Sequence, residues 1–299
     1  MPDESRAKRG VGTAAREHTV GALVGELTAF LMSRQVDDAR REARDIVAAL
    51  LDVPRSWPLA HADASIEPPI AERARSAAAR RARGAPLAYA VGRAAFRHLT
   101  LHVDERVLIP RPETEQIVDL VLDALHGPGG VAVDVGTGSG AIALALASEA
   151  RFDRVIGTDV SLDALAVAQE NARSLRDVLR SPVELVHGSL LSPLGRGRVQ
   201  AVVSNPPYIA HEEAAALPSS VRDWEPPVAL FSAGGGMQLT GQLVRDAASL
   251  LEPGGLLALE VDVRRASLVA DLVGRDRRYR DVQVHLDLFG RERFVVARR

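Results

Sequence analysis

The sequence contains no cysteine, so disulfide scaffolds, thiolate zinc sites and cysteine nucleophiles are excluded. Aromatic residues make up only 4% of its 299 residues, and the net charge is −2. Such a chain has no overall field to draw it onto nucleic acid or an anionic membrane. No apolar run reaches the ~18 residues of a membrane span. The first residues carry charges with no apolar stretch behind them, and Asp3, Glu4 and Glu17 argue against a transit peptide. Residues 1–17 are therefore expected to be a disordered tail, and the protein is expected in the cytoplasm as a monomer, with no membrane and no direct nucleic-acid contact. Metal ligation is not expected: His98 and His102 are four apart, but in a segment that reads as strands, where that spacing does not converge on an ion.

What is present is 46% hydrophobic residues and 25% charged ones, ordinary for a globular chain with a substantial core. Residues 18–85 read as a helical domain. Val20, Leu23, Val24, Leu27, Phe30 and Leu31 recur at helical spacing. Asp37 and Asp38 are candidate caps for a second helix carrying Ile46, Val47, Leu50 and Leu51. Pro68-Pro69 opens a third, with small residues at Ala71, Ala74, Ala78 and Ala82, running to Gly84. Opposite that stripe lie Arg73, Arg80, Arg81 and Arg83, a candidate surface for an acidic partner; Arg75, Arg93 and Arg97 fall in the same stretch, which has no acid. Residues 86–111 read as a connector with a short β-hairpin.

From residue 112 onward the pattern alternates β and α. Strands are expected at Val131–Val135, Val155–Thr158, Val183–Val186, Ala201–Ser204, Leu256–Val261, Val282–Leu286 and Phe294–Ala297, with helices at 139–149, 162–175 and 237–252. The fold class is α/β: a Rossmann-like, seven-stranded, mostly parallel sheet. The link Asp287–Arg293 is too short for a parallel crossover, so the last strand is antiparallel.

Two motifs carry chemistry. Asp134-Val135-Gly136-Thr137-Gly138-Ser139-Gly140 joins a strand to a helix, where glycines let the backbone approach a ligand and the new helix offers free N–H groups. Asp159 ends the next strand, placed to accept from ribose hydroxyls. The spacing Gly-x-Gly-x-Gly differs from the dinucleotide pattern Gly-x-Gly-x-x-Gly. With Asp134 suited to an ammonium group, directly or through water, S-adenosylmethionine is favoured over a nicotinamide dinucleotide. Asn205-Pro206-Pro207-Tyr208 ends the fourth strand. The Asn205 oxygen and the Pro206 carbonyl can each accept one N–H of a planar –NH₂ group. The prolines stiffen the loop, and Tyr208 can pack on the flat acceptor. The tetrapeptide alone leaves an adenine base and a glutamine amide both open. The segment at Trp224-Glu225-Pro226-Pro227 is a candidate lid or acceptor-side loop.

Around these motifs the chain resembles the protein-(glutamine-N5) methyltransferases of peptide-chain release factors. The resemblance runs through Gly84-x-Pro86-x-x-Tyr89-x-x-Gly92-x-x-x-Phe96 and the stretch Val107 to Glu115, which reads Pro110-Arg111-Pro112-Glu113-Thr114-Glu115. It continues through Asp159-Val160-Ser161, Asn171 and Gly290-Arg291-Glu292-Arg293-Phe294. It implies a class I S-adenosylmethionine-dependent fold with a small N-terminal helical domain that helps bind the substrate. It also implies methylation of the glutamine in the Gly-Gly-Gln loop of class-1 release factors. Cofactor contacts are implied at Asp134, Gly136, Thr137, Gly138, Ser139, Gly140, Asp159, Leu190 and Asn205. Acceptor contacts are implied at Asn205–Tyr208, with Asn205, Pro206 and Tyr208 as catalytic residues. The chain departs from the family at Ser189, across Ser232–Thr240, and at Asp262 and Arg265. An adenine-N6 nucleic-acid methyltransferase, a ribosomal-protein glutamine methyltransferase and a silent cofactor-binding module are the alternatives.

Overall fold

The computed structural model describes residues 19–125, 127–195 and 197–299; the tail expected at 1–17 lies outside them. The chain divides into two compact units, one up to Val91 and one from Gly92 to Arg299.

The first unit is helical: α1 (Val20–Ser33), α2 (Ala39–Leu51), α3 (Trp57–Ala60), α4 (Pro68–Arg81) and α5 (Leu87–Val91). Val20, Leu23, Leu27 and Leu31 of α1 are buried against Ala43, Ile46 and Val47 of α2 and the alanines of α4. The small side chains Ala71, Ala74, Ala77 and Ala78 are all buried, which lets the helix backbones come close. Thr19 caps α1 by accepting from the Ala22 N–H at 3.2 Å. Asp38 precedes α2 but makes no side-chain cap; it sits in a left-handed conformation, φ 50°. Its backbone carbonyl, not its carboxylate, takes the Arg41 and Glu42 N–H groups. Helix α4 stops at Arg81, short of Gly84. Helix α5 lies in the stretch expected as connector; Ala90 and Val91 are buried in the helical core, so the unit extends to Val91.

The second unit opens with the hairpin β1 (Arg93–Phe96) and β2 (Leu99–His102). A 3-10 turn at Pro112–Thr114 leads into α6 (Glu115–Ala124). There follow β3 (Val131–Val135), α7 (Ala141–Glu149), β4 (Arg154–Asp159), α8 (Leu162–Ser174), β5 (Val183–His187) and β6 (Val199–Ser204). After the short α9 (Ser219–Arg222) and α10 (Pro227–Leu230) come α11 (Gln238–Leu250), β7 (Leu251–Glu260), α12 (Ala266–Arg275), β8 (Arg280–Leu286) and β9 (Glu292–Arg298). The strand order is β5-β4-β3-β6-β7-β9-β8. β5, β4, β3, β6 and β7 run parallel to one another, and β9 is antiparallel to both β7 and β8. Strand β7 begins five residues earlier than its apolar run implies, with a register shift between its Val199 and Ala201 partners.

This order decides where a ligand can bind. From β3 the chain moves outward to β4 and β5, then returns to the other side of β3 as β6. The loops leaving β3 and β6 therefore diverge at the switch point, which opens a crevice beyond the strand ends. Helix α7 starts there and is buried along Ala141–Ser148, so its N-terminus is held rigidly under the crevice.

Candidate functional site

The glycine loop is anchored from two sides. The Gly136 and Thr137 N–H groups donate to the Thr158 carbonyl of β4 at 2.8 and 2.9 Å, which folds the loop back over the sheet. The Gly138 N–H donates to Asp159 Oδ2 at 2.9 Å. Gly136 and Gly138 hold φ of 73° and 54°, and a Cβ at either would point into open space. The loop is thus a cradle whose concave side is bare backbone, a shape only glycine maintains in this conformation.

Beside it is a cavity of about 290 Å³. Gly136, Gly138, Asp159, Leu190 and Asn205 line it, with Ser189 and the apolar Val160 and Leu239. Asp159 is mostly buried, and burial raises its pKa. Its two oxygens take the Gly138 and Ser161 N–H groups at 2.9 Å each. With the Val160 N–H also donating to the carboxylate, one lone pair remains for a hydroxyl donor. Leu190 is held in place by its carbonyl, which accepts from Thr158 Oγ1 at 2.9 Å. Thr137 and Ser139 instead face a smaller cavity of about 50 Å³ that also reaches Asn205.

Asp134 departs from the expectation that it faces a ligand's ammonium group. It is 1% exposed and lines none of these cavities. Its Oδ2 accepts from Thr137 Oγ1 at 2.7 Å and from the Ala143 N–H at 3.1 Å, tying the loop to the first turn of α7 from behind. Its Oδ1 is buried with no partner, and burial pushes the carboxyl up to about 7. Gly140 is likewise turned inward, opening α7 with φ 83°.

The acceptor motif leaves β6, held beside the glycine loop because Ser204 Oγ donates to the Val135 carbonyl at 2.7 Å. A second cavity, of about 190 Å³, lies on its far side, lined by Arg111, Asn205, Pro206, Pro207 and Tyr208. Asn205 and Pro207 line both cavities, so they form the wall where two ligands would meet. Burial pushes the Tyr208 hydroxyl up to about 12, so the ring stays neutral.

Several side chains bonded around the acceptor motif escaped sequence reasoning because their partners are distant. Asn205 Nδ2 donates to Thr114 Oγ1 at 3.2 Å, and Thr114 Oγ1 donates to Glu260 Oε2 at 2.6 Å. Thr114 was legible only as part of the Pro110–Glu115 motif. Glu260, at the end of β7, is 2% exposed, and burial pushes it up to about 7. Arg111 Nη2 lies 2.7 Å from both oxygens of Glu225. That pair pins the segment between Tyr208 and α11 to the stretch before α6. The pinned segment supplies Leu217, Val221 and Leu230 to the second cavity and Pro226, Val228 and Ala229 to the first. Trp224 itself is half-buried.

The departures from the family pattern cluster behind the acceptor loop. Arg265 Nε donates to the Gly235 carbonyl at 2.8 Å, and its other nitrogens reach Asp262 at 3.2 Å and Glu213 at 2.9 Å. Gly236 packs so closely under Tyr208 that a Cβ there would strike the Tyr208 carbonyl. Of the departing residues, Asp262, Arg265 and Ser232–Gln238 line none of the three cavities, whereas Leu239 of the Ser232–Thr240 stretch and Ser189 both line the first.

The expected arginine surface is partly consumed within the protein. Arg81 forks onto Glu42 of α2 at 2.8 and 3.0 Å, and Arg75 onto Glu26 of α1. In the second unit, Arg97 is paired with Glu149 and Asp119. His98 lies against Ser148 and Glu149, and His102 against Asp104 and Glu170. No described helix is long and apolar enough to cross a membrane.

Residues 22–92 match a family model described as the PrmC N-terminal domain, and residues 114–219 match the methyltransferase small domain. The chain is 40% identical over 282 residues to the release factor glutamine methyltransferase of Moorella thermoacetica, covering 94% of this chain and 99% of the relative. It is 43% identical over 213 residues to that of Gloeobacter violaceus, covering 71% and 74%. With that of Mycobacterium tuberculosis strain H37Rv it shares 38% over 300 residues, covering 94% and 92%. Among solved structures, a methyltransferase from Pyrococcus furiosus superimposes with a TM-score of 0.51 at 20% identity, covering 68% of this chain and 90% of that one. The hMettl16 catalytic domain gives 0.53 at 17%, covering 78% and 81%. These two likenesses concern the fold alone.

Proposed function

Because the chain belongs to the release factor glutamine methyltransferase family, we propose that it methylates the side-chain nitrogen N5 of the glutamine in the Gly-Gly-Gln loop of class-1 release factors. The observation that carries this reading is the position of Asn205. It lines both cavities, and its Nδ2 is occupied by Thr114, which leaves Oδ1 to accept from an –NH₂ group.

The methyl donor is S-adenosylmethionine, which when bound supplies an electrophilic methyl group on sulfur. The residues present fit it: the bare backbone of Gly136 and Gly138 forms the cradle, Asp159 offers a remaining lone pair, and Val160, Leu190 and Leu239 give an apolar wall. Asp134 serves by fixing the loop's shape. An amide nitrogen is a weak nucleophile because its lone pair is delocalised, so the protein's contribution is orientation and a field that favours positive charge on nitrogen. Asn205 Oδ1 and the Pro206 carbonyl each accept one N–H, turning the nitrogen lone pair toward the first cavity. The nitrogen–carbon bond would form as the methyl's bond to sulfur breaks, the sulfur leaving as a neutral thioether and the nitrogen releasing one proton to solvent. Tyr208, kept neutral, packs on the amide plane.

The helical unit is assigned to binding the release factor, supported by its match to the PrmC N-terminal domain model. A nucleic-acid target is less well supported. Arg106 and Arg111 are the basic residues lining the three cavities at this site. Both are already engaged, by Asp104 and Glu225.

The test is to incubate the protein with methyl-labelled cofactor and a purified release factor, either wild type or with the loop glutamine replaced. Label is expected in the wild-type loop and absent from the variant; label that persists in the variant refutes the substrate assignment. Asn205→Ala is expected to lower turnover by about 10²-fold or more with cofactor affinity changed far less, and a fully active variant would sink the mechanism.

A further inference from the structure

The buried carboxylate of Glu260 has no place in the reading above. It ends β7, one strand beyond the acceptor loop, and Thr114 is its hydrogen-bond donor at 2.6 Å. A threonine hydroxyl has a single proton. Once that proton is given to Glu260, the oxygen can only accept, and the side-chain amide of Asn205 has to present its –NH₂ end at 3.2 Å. An asparagine amide is nearly symmetric in shape, so packing alone distinguishes its two ends poorly. The choice between them is nonetheless decisive: Oδ1 turned toward the second cavity accepts from an acceptor –NH₂, whereas Nδ2 turned there repels it.

We propose that Glu260, acting through the Thr114 hydroxyl, locks the Asn205 side chain with its oxygen toward the methyl acceptor, and is a positioning residue for the transfer. The inference rests on Asn205 as the acceptor-holding group. It goes beyond that reading by assigning the work of orientation to two residues outside the acceptor motif, 91 and 146 positions away along the two bonds.

The lock depends on the charge of Glu260. Ionised, the carboxylate only accepts, and the chain of donors runs one way. Protonated, it can donate to Thr114 Oγ1, whose own proton is then free to turn toward Asn205 and favour the flipped amide. The groups facing Glu260 are Thr114 and Glu113 from the 3-10 turn, Arg111 before it, Arg293 from β9 and Tyr208 from the acceptor loop. Asp262 follows on its own segment. Burial outweighs the two arginines and Thr114, so Glu260 titrates near 7. Turnover is therefore expected to rise with pH across about 6 to 8.

Three variants and one spectroscopic measurement test this on the full chain with a purified release factor. Thr114→Val keeps the shape and removes the hydroxyl; kcat is expected to fall by about 10 to 10²-fold with cofactor affinity unchanged within about threefold. Thr114→Ser restores the hydroxyl and most of the lost kcat. Glu260→Gln can still accept through its oxygen but cannot titrate, so the rise in kcat near neutrality is expected to flatten. The side-chain amide resonances of Asn205 in ¹⁵N-labelled protein are expected to shift with a midpoint near that of Glu260, and to stop shifting in Thr114→Val. An undiminished kcat in Thr114→Val, an unaltered pH profile in Glu260→Gln, or Asn205 resonances indifferent to pH would each overturn the proposal. The resonances need no methyl transfer. Wild-type protein that labels no release factor overturns the substrate assignment, while the resonances still decide the lock.

Discussion

Replacing Arg111 by leucine removes the cation that holds a buried acid. Glu225 is 3% exposed, and both its oxygens lie 2.7 Å from the same Arg111 nitrogen. Breaking a buried pair from one side typically costs ~3–5 kcal/mol. The stranded carboxylate has an escape, which is to take up a proton. Starting from a reference pKa of about 4.3, that costs ~3.7 kcal/mol at pH 7, at ~1.36 kcal/mol per unit. Protonation therefore caps the loss from the stranded charge at about 4 kcal/mol, and the cap falls to ~1 kcal/mol at pH 5. The sign follows from the direction of the shift. With its folded pKa raised above the unfolded value, Glu225 costs nothing while protonated in both states. The penalty grows as pH rises from the unfolded pKa toward the folded one.

Because burial raises the Glu225 pKa even with Arg111 in place, wild type already carries part of this penalty, so Arg111→Leu is expected to lose at most ~3 kcal/mol at pH 7 and less than ~1 kcal/mol at pH 5. The double variant with Glu225→Leu should recover most of the neutral-pH loss, because no charge is left behind. Urea unfolding measures it well. The sequence has two tryptophans, Trp57 in the helical unit and Trp224 next to Glu225. In a Trp57→Phe background the emission reports the second unit alone. A penalty below ~1 kcal/mol at pH 7, or one that does not change with pH, would refute the claim that the pair is buried and pins this segment.

Two further outcomes are expected. Gly138→Ala places a Cβ at φ +54° pointing into the cradle; a left-handed conformation costs ~1–2 kcal/mol. Cofactor Kd should rise by about tenfold or more while the melting temperature falls little, and an unchanged Kd in equilibrium binding would count against the cradle. Asp134 is pushed by burial up to about 7, so the folded chain holds a proton that the unfolded chain loses in mild acid, and stability falls as pH rises through that window. Asp134→Asn abolishes that titration, so the variant should gain on wild type as pH rises from about 5 to 8; parallel melting curves across that range would contradict it.

The legible features lie close together along the chain. The alternation of apolar runs and helical stripes predicts the strands and their mostly parallel order, because period two and period 3.6 follow from backbone geometry. The glycine loop and Asn205–Tyr208 are contiguous, and the strand ends that carry them follow from that alternation. Boundaries were less legible. Leu87–Val91 reads as connector because five residues show no clear period, yet the chain forms α5 where Ala90 and Val91 are buried in the helical core.

By itself, then, the sequence determined the α/β sheet and the placing of the glycine loop and Asn205–Tyr208 at the ends of its strands, since each is written in neighbouring residues. Tertiary structure alone decided what the polar side chains around them do. Asp134 reads as a ligand for an ammonium group, but the packing of α7 closes it off and makes it a brace. Arg81 reads as part of an exposed basic face, but Glu42 on the adjacent helix claims it. Arg111 meets Glu225 across 114 residues, and Thr114 meets Glu260 across 146. A long polar side chain can reach many partners, and no periodicity selects among them. Burial selects, because a charge taken out of water must be matched by whichever group the sheet order and loop closures bring within reach.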